Sequence, residues 1–300
     1  MSEKKEHKIV SASTGAQVSK KAAAASSQVA KKPAAPVGNA TPLRIGAILL
    51  WLLAIGFEVL AVLVTFGKVD LKFIPTLWQM IAFLVLDLVC LIIGSQLWKK
   101  ANHIKPASEK NKAKLWLWNN MGLIVTVLAF VPFIILLLTN KNADKKMKVV
   151  GTVAAVIMLL IGGLASYDWN PVSKEQLDNY EKNITGNVYW TNSLGGKKFH
   201  LFEDCQSLNQ TEELVIGSVA EAVAANRSGL CAFCARRDNR NVETGAYLDG
   251  SVETVVEAAE TELETPEQET EQQETEQQEA PETEQEEAPE GETAEEEPAA

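Results

Sequence analysis

Three of the chain's four cysteines and one of its three histidines fall in one short stretch. Their order is His200, four residues, Cys205, twenty-five residues, Cys231, two residues, Cys234. Thiolates and an imidazole in two short pairs are zinc chemistry: zinc takes four nitrogen or sulfur ligands in a tetrahedron, and each pair supplies one edge. Two other readings stay open on residue types alone. A Cys-x-x-Cys is also the shape of a redox dithiol, although such pairs open a helix next to a strand, whereas this one is expected to follow a helix. The cysteines pair as disulfides if the stretch faces an oxidising compartment. About fifty residues bury too little apolar surface to fold unaided, so a staple of some kind is needed.

The elements around the ligands are legible. Val188 to Thr191 is rich in β-formers, Gly195-Gly196 is a turn signal, and Lys198 to Phe202 alternates, so a hairpin is expected. Val215-Ile216 is a third short strand. Ser218 with Glu221 three residues on makes a capping box that opens a helix, which Gly229 is expected to end. Two ligands after the hairpin and two after the helix then converge.

The run FH-x4-C, then SVAEAVAAN, then C-x-x-C resembles the Ada-like metal-binding domain. That domain begins the Ada DNA-repair methyltransferase, and similar modules are appended to nucleases and DNA-uptake proteins. The match covers residues 187–237, about fifty of the 300. The resemblance implies zinc coordination by His200, Cys205, Cys231 and Cys234. In Ada the first of four cysteines also accepts a methyl group. His200 stands at that position here, with one extra residue before Cys205, which argues against methyl transfer.

The rest of the chain is a membrane block between two charged ends. The whole chain is 46% hydrophobic, and that content is concentrated in four runs, Leu43–Phe66, Phe73–Trp98, Leu115–Leu138 and Val149–Tyr167. Each approaches or exceeds the roughly 20 residues that span a hydrocarbon core. The tryptophans lie mostly near the run ends, as interfacial anchors do. The fold class expected is an α-helical membrane protein: a four-helix transmembrane bundle over 43–167, a juxtamembrane connector over 168–186, a small α+β zinc-binding domain over 187–240, and a disordered acidic tail over 241–300. Residues 1–42, rich in Lys, Ala and Ser, read as a disordered basic arm. The net charge of −11 comes from the tail, which has 22 acidic residues and no Lys or Arg. The remainder sets 17 acids against 28 bases, a net +11. The N-terminal arm and second loop hold fourteen Lys or Arg, the two opposite loops six, which puts both termini in the cytoplasm of a plasma-membrane protein. Thiols stay reduced there. The loop WKKANHIKPASEKNKAKLWLWN and the exit DWNPVS are similar to a group of uncharacterised bacterial four-span proteins, a resemblance that implies a bacterial membrane and no activity.

Within the spans, Glu58 and Asp87 stand out. Either they serve an ion or proton path, or they are protonated acids tied into the bundle with Thr126 as a partner. Cys90 reads as an apolar filler. Gly151 with Ala155, and Gly162 with Ser166, offer close packing either inside the bundle or in a homo-oligomer. Pro132 predicts a kink in the third span. Ser173 with Gln176 predicts a short capped helix in the connector.

Lys197, Lys198, Arg227, Arg236, Arg237 and Arg240 flank the ligands and suggest a face for an anionic partner, nucleic acid or anionic lipid. No P-loop or dinucleotide fingerprint is present, and His200 is the domain's one histidine, so no Ser/His/Asp set forms once it binds metal. The function expected is therefore a non-enzymatic membrane protein with a structural Zn2+ module for binding or sensing. A membrane-tethered nucleic-acid binder and an ion-coupled transporter are the alternatives.

Overall fold

The computed structural model describes residues 7–19, 21, 37–193 and 195–248. The expected acidic tail lies outside them, apart from residues 241–248. Four helices are long and apolar enough to cross a membrane: α1 (Ala40–Thr65), α2 (Thr76–Ile104), α4 (Met121–Thr139) and α5 (Lys145–Ser166). Between α2 and α4 runs a short helix, α3 (Lys112–Asn119).

The second and third spans depart most from the sequence expectation. The second span does not stop at Trp98 but runs on to Ile104. Its end is held from outside: Lys99 Nζ donates to Ala165 O at 2.7 Å, and Arg44 Nη2 donates to Lys105 O at 2.9 Å. The third apolar run is not one helix, because it divides at Asn120. Carbonyls at the end of α3 take side-chain donors. Trp118 O accepts from Trp98 Nε1 at 2.8 Å and from Asn102 Nδ2 at 3.0 Å, and Trp116 O accepts from Asn120 Nδ2 at 3.0 Å. Buried carbonyls must be paired; the Trp98 and Asn102 donors stand in for the helical N–H that Trp118 O lacks, while Trp116 O also keeps the Asn120 backbone N–H at 3.0 Å. Pro132 lies inside the continuous helix α4.

The bundle packs on small residues. A Cβ on Gly94 of α2 would lie 2.7 Å from the Trp51 ring of α1, so glycine lets the two helices approach, and Trp51 then sits 5.3 Å from Trp98. On α5, Gly151, Ala155, Gly162 and Ser166 are all buried. Gly151 faces Leu137 and Met80, and Gly162 faces Leu88 and Thr126. The small-residue stripe therefore serves the bundle itself.

Past α5 comes a small strand-containing region. Ser173 caps α6 (Lys174–Asn183), accepting from Gln176 N at 3.0 Å. The remaining elements are β3 (Val188–Trp190), β4 (Lys198–Phe199), β5 (Glu213–Gly217), α7 (Val219–Ala224), β6 (Gly229–Leu230) and α8 (Ala232–Arg237).

Part of the N-terminal arm, expected to be disordered, forms strands. Lys8–Ser11 forms β1 and Gln17–Val18 forms β2, and both join this region in one sheet of order β2-β1-β5-β3. Strand β1 runs parallel to β5, with Ile9 opposite Leu214 and Ser11 opposite Ile216. The β-branched run at Ile9 and Val10 suits a strand, and Ile9 is 1% exposed in the core. The region also reaches beyond 240, since Tyr180 Oη donates to Val242 O at 2.6 Å and Asn183 Nδ2 donates to Thr244 O at 2.9 Å. Its core thus draws on the N-terminal arm and on the connector, through Ile9, Val172, Leu177, Tyr180 and Ile184.

The expected hairpin is reduced to a single bridge. β3 pairs with β5 and β4 with β6, and β3 meets β4 only where Tyr189 and His200 exchange two backbone hydrogen bonds of 2.7 Å.

Candidate metal centre

The four donors arrive from three local structures. His200 follows β4, held by its bridge to Tyr189. Cys205 ends the turn after it and leads into a 3-10 turn, Gln206–Leu208, with Leu208 N donating to Cys205 O at 2.8 Å. Cys231 and Cys234 come from the far end of the region. Strand β6 lies parallel to β4, and Cys231 N donates to Phe199 O at 2.9 Å, which sets Cys231 beside the strand that delivers His200. Cys234 follows on α8, where Ala235 N donates to Cys231 O at 2.9 Å.

Helix α7 spaces the two pairs. Its capping box is formed as expected: Glu221 N donates to Ser218 Oγ, and Ser218 N donates to Glu221 Oε2 at 2.8 Å. Gly229 is not its stop. Asn226, at φ 65°, turns the chain, with Asn226 N donating to Val223 O and Arg227 N to Ala222 O, both 2.9 Å. That is a Schellman ending with Asn in place of Gly. Gly229 is instead a strand residue of β6 packed under Lys198.

The Cys-x-x-Cys is expected from the sequence to follow a helix, unlike a redox dithiol. Cys231 does not merely follow a helix; it is the N-cap of α8 and comes directly after β6, the position a redox dithiol also takes. The distinction rests on geometry instead. All four donor atoms lie within 4.8 Å of one another, and all four residues are buried. Zn–S bonds of about 2.3 Å give a tetrahedron with edges of about 3.8 Å. Cys205 Sγ to Cys231 Sγ is 3.9 Å, and Cys234 Sγ to His200 Nδ1 is 3.8 Å. A disulfide needs about 2.05 Å, and the cysteines are free.

The electrostatics suit a soft cation. Burial pushes the His200 imidazole down to about 4, so the ring is neutral near pH 7 with a lone pair to donate. Burial pushes the Cys234 thiol up to about 12 and the Cys205 thiol up as well. Cys231 ends below its usual range: burial opposes this, but the backbone N–H groups of Cys234 and Phe233 and the Ser207 hydroxyl outweigh it. Thiols that resist ionising in a dry cage become thiolates when a cation takes the proton's place.

Sequence reasoning missed the supports. Arg237 Nη1 pairs with Asp204 Oδ1 at 2.7 Å and lies 4.1 Å over the Phe202 ring, tying α8 to the loop that carries Cys205. Tyr180 from the connector is 1% exposed and meets Phe199 edge-on at 5.2 Å, directly beside His200. An i, i+3 spacing of Leu177 and Tyr180 on a capped helix was the available signal.

The basic face is smaller than its residue types suggested. Arg227 is buried, donating through Nε and Nη2 to Thr191 O, through Nη2 to Ser193 O and through Nη1 to Ala225 O. Arg240 pairs with Asp238, donates to Asn183 O and Gly245 O and stacks on Tyr247 at 3.7 Å. Arg237 is committed to Asp204. Among the described residues Lys197, Lys198 and Arg236 keep exposed cationic heads, with Arg236 lying over the Phe233 ring.

Comparison with protein-family models, curated proteins and solved structures returns no match. The Ada-like resemblance therefore stands on its quoted residues alone.

Proposed function

We infer that this chain is a non-enzymatic integral membrane protein that carries a structural zinc module of Ada-like kind on the cytoplasmic side, used for binding or sensing. The observation that carries the reading is the convergence of His200, Cys205, Cys231 and Cys234 within 4.8 Å. Three thiolates and an imidazole at tetrahedral spacing are a borderline-soft donor set, which favours zinc over the hard cations that take oxygen. Four protein donors close the coordination sphere, which supports a structural role over a catalytic one, since catalytic zinc keeps an open position. The basic arm and second loop support a cytoplasmic face, where thiols remain available to metal. The inward commitment of Arg227 and Arg240 weakens the nucleic-acid alternative.

The test is metal analysis of the full-length protein, purified anaerobically in detergent, with cobalt substitution as a geometric readout. One metal per chain and a tetrahedral thiolate-rich cobalt spectrum are expected, both lost in Cys231→Ser. A folded, metal-free wild type, or a Cys231–Cys234 disulfide after anaerobic purification, would overturn the reading.

A further inference from the structure

A second group of titratable side chains lies inside the bundle. Asp87 of α2 is 0% exposed, and neither carboxylate oxygen has a hydrogen-bond partner among the described residues. Thr126, the partner expected for it, donates instead to Gly122 O at 2.8 Å. Across from Asp87 runs α1. The two helices are antiparallel, with Gly46 against Leu97 and Trp51 against Gly94. Seven residues beyond Trp51 is Glu58, and seven before Gly94 is Asp87, so the register sets the carboxyls at one level. They are near enough to interact electrostatically.

Among the described residues nothing basic shares that level. The titratable groups facing Asp87 are Glu58 on α1 and Cys90 on its own helix. Helix α4 carries no titratable side chain. Gly162 of α5 packs beside Leu88, and Lys148 lies fourteen residues away, roughly 21 Å along the helix. Arg44 is equally far from Glu58, and Lys99 is twelve residues, roughly 18 Å, from Asp87. Two ionised carboxylates facing each other at this depth carry an uncompensated double charge. An unpaired buried ion costs several kcal/mol. The alternative is a bound cation.

We propose that Glu58 and Asp87 form a reversible proton-binding site in the bundle, the two carboxyls together holding one proton that they exchange with water. In binding, a carboxylate oxygen forms an O–H bond with a proton taken from hydronium, leaving water; release is the reverse. A proton fits better than a metal cation. Hard cations require six or more oxygen ligands. The two carboxyls provide four, and the buried neighbours Leu84, Cys90 and Leu91 add no oxygen from their side chains. The site is independent of the zinc reading, sharing no residue with it.

Infrared difference spectroscopy of the full-length protein in lipid nanodiscs tests this, titrating from about pH 5 to about pH 9. A carboxylic C=O band that disappears on raising the pH, moves on labelling with isotopic aspartate, and is absent from Asp87→Asn is the expected result. Glu58→Gln should change the midpoint of its loss by an order of magnitude or more in proton concentration. The isotope shift needs no substitution, so a misfolded variant does not blunt the test. Absence of any aspartate-dependent carboxylic band would overturn the proposal. So would a band that persists unchanged across the whole range, which marks a permanently protonated structural acid. Loss of the band on adding sodium or potassium at fixed pH would replace the proton by a metal cation.

Discussion

Arg227 carries a charge near the His/Cys cluster and turns it inward. Its guanidinium spends its donors on three backbone carbonyls, of Thr191, Ser193 and Ala225, and so pins the loop before β4 to the turn after α7. Removing such a group leaves buried carbonyls unpaired. Arg227→Met is expected to cost about 2–4 kcal/mol, from hydrogen bonds made by a charged donor. Lys197→Ala, on the exposed side of the same loop, should stay within about 0.5 kcal/mol. Denaturant unfolding of the cobalt-loaded full-length protein, followed through the thiolate-to-cobalt absorption, reads both at the site itself. Equal, small effects would mean that the Arg227 bonds do not hold the loop. The clustering of His200, Cys205, Cys231 and Cys234 was legible because a shared ion would fix residue type and spacing together. The orientation of Arg227 and Arg240 was not: charge says nothing of which way a long side chain folds when unpaired carbonyls compete with water for it.

Strand β1 is the element that changes what the region carrying the His/Cys cluster is. Its partner β5 lies two hundred residues away, yet β1 sits between β2 and β5 and contributes Ile9 to the common core. Burying an isoleucine side chain is worth about 1.5–3 kcal/mol. Losing β1 would also leave one edge of β5 unpaired. Deletion of residues 1–19 should therefore speed amide hydrogen exchange across Glu213–Gly217 in the full-length protein and lower metal retention under chelator challenge. Unchanged exchange there would show that the strand contributes nothing. A fragment confined to 187–240 lacks β1, α6 and the return through Val242, and should fold poorly with metal present. The capping box of α7 was readable because Ser218 and Glu221 satisfy each other locally. A four-residue strand has no such local signature. KIVS in a Lys-, Ala- and Ser-rich arm gains its order only from a distant edge, so composition pointed to disorder. The break of the third apolar run at Asn120 is of the same kind, set by donors on α2 that hydropathy does not reveal.

At the scale of the whole molecule, the sheet imposes a topology. Because β1 precedes all four spans and β5 follows them, their pairing requires both to lie on one side of the membrane, which an even number of crossings permits. The region is also seated on the bundle. The buried His103 of α2 has Nδ1 3.2 Å from Val223 O and Nε2 3.5 Å from Asp168 Oδ2, and Asn170 Nδ2 donates to Asn226 O at 3.1 Å. The side expected from charge is the cytoplasm: fourteen Lys or Arg flank the region against six on the other face, and a cytoplasmic excess is the rule. These are separable claims, and one experiment reads both. Single cysteines introduced as Ser13→Cys, Glu243→Cys and Asn142→Cys all fall at exposed positions, and the four native cysteines are buried, so a membrane-impermeant maleimide reports the new thiols over a low background. In intact cells Asn142→Cys should label while Ser13→Cys and Glu243→Cys stay silent until the membrane is permeabilised. If Ser13→Cys and Glu243→Cys behave differently from each other, β1 cannot pair with β5 in the membrane-inserted protein, and the sheet as described fails. If they agree but label from outside, the sheet stands while the orientation reverses. The cysteines would then face an oxidising space, and the case for a thiolate-bound zinc would lose the compartment that keeps its ligands reduced.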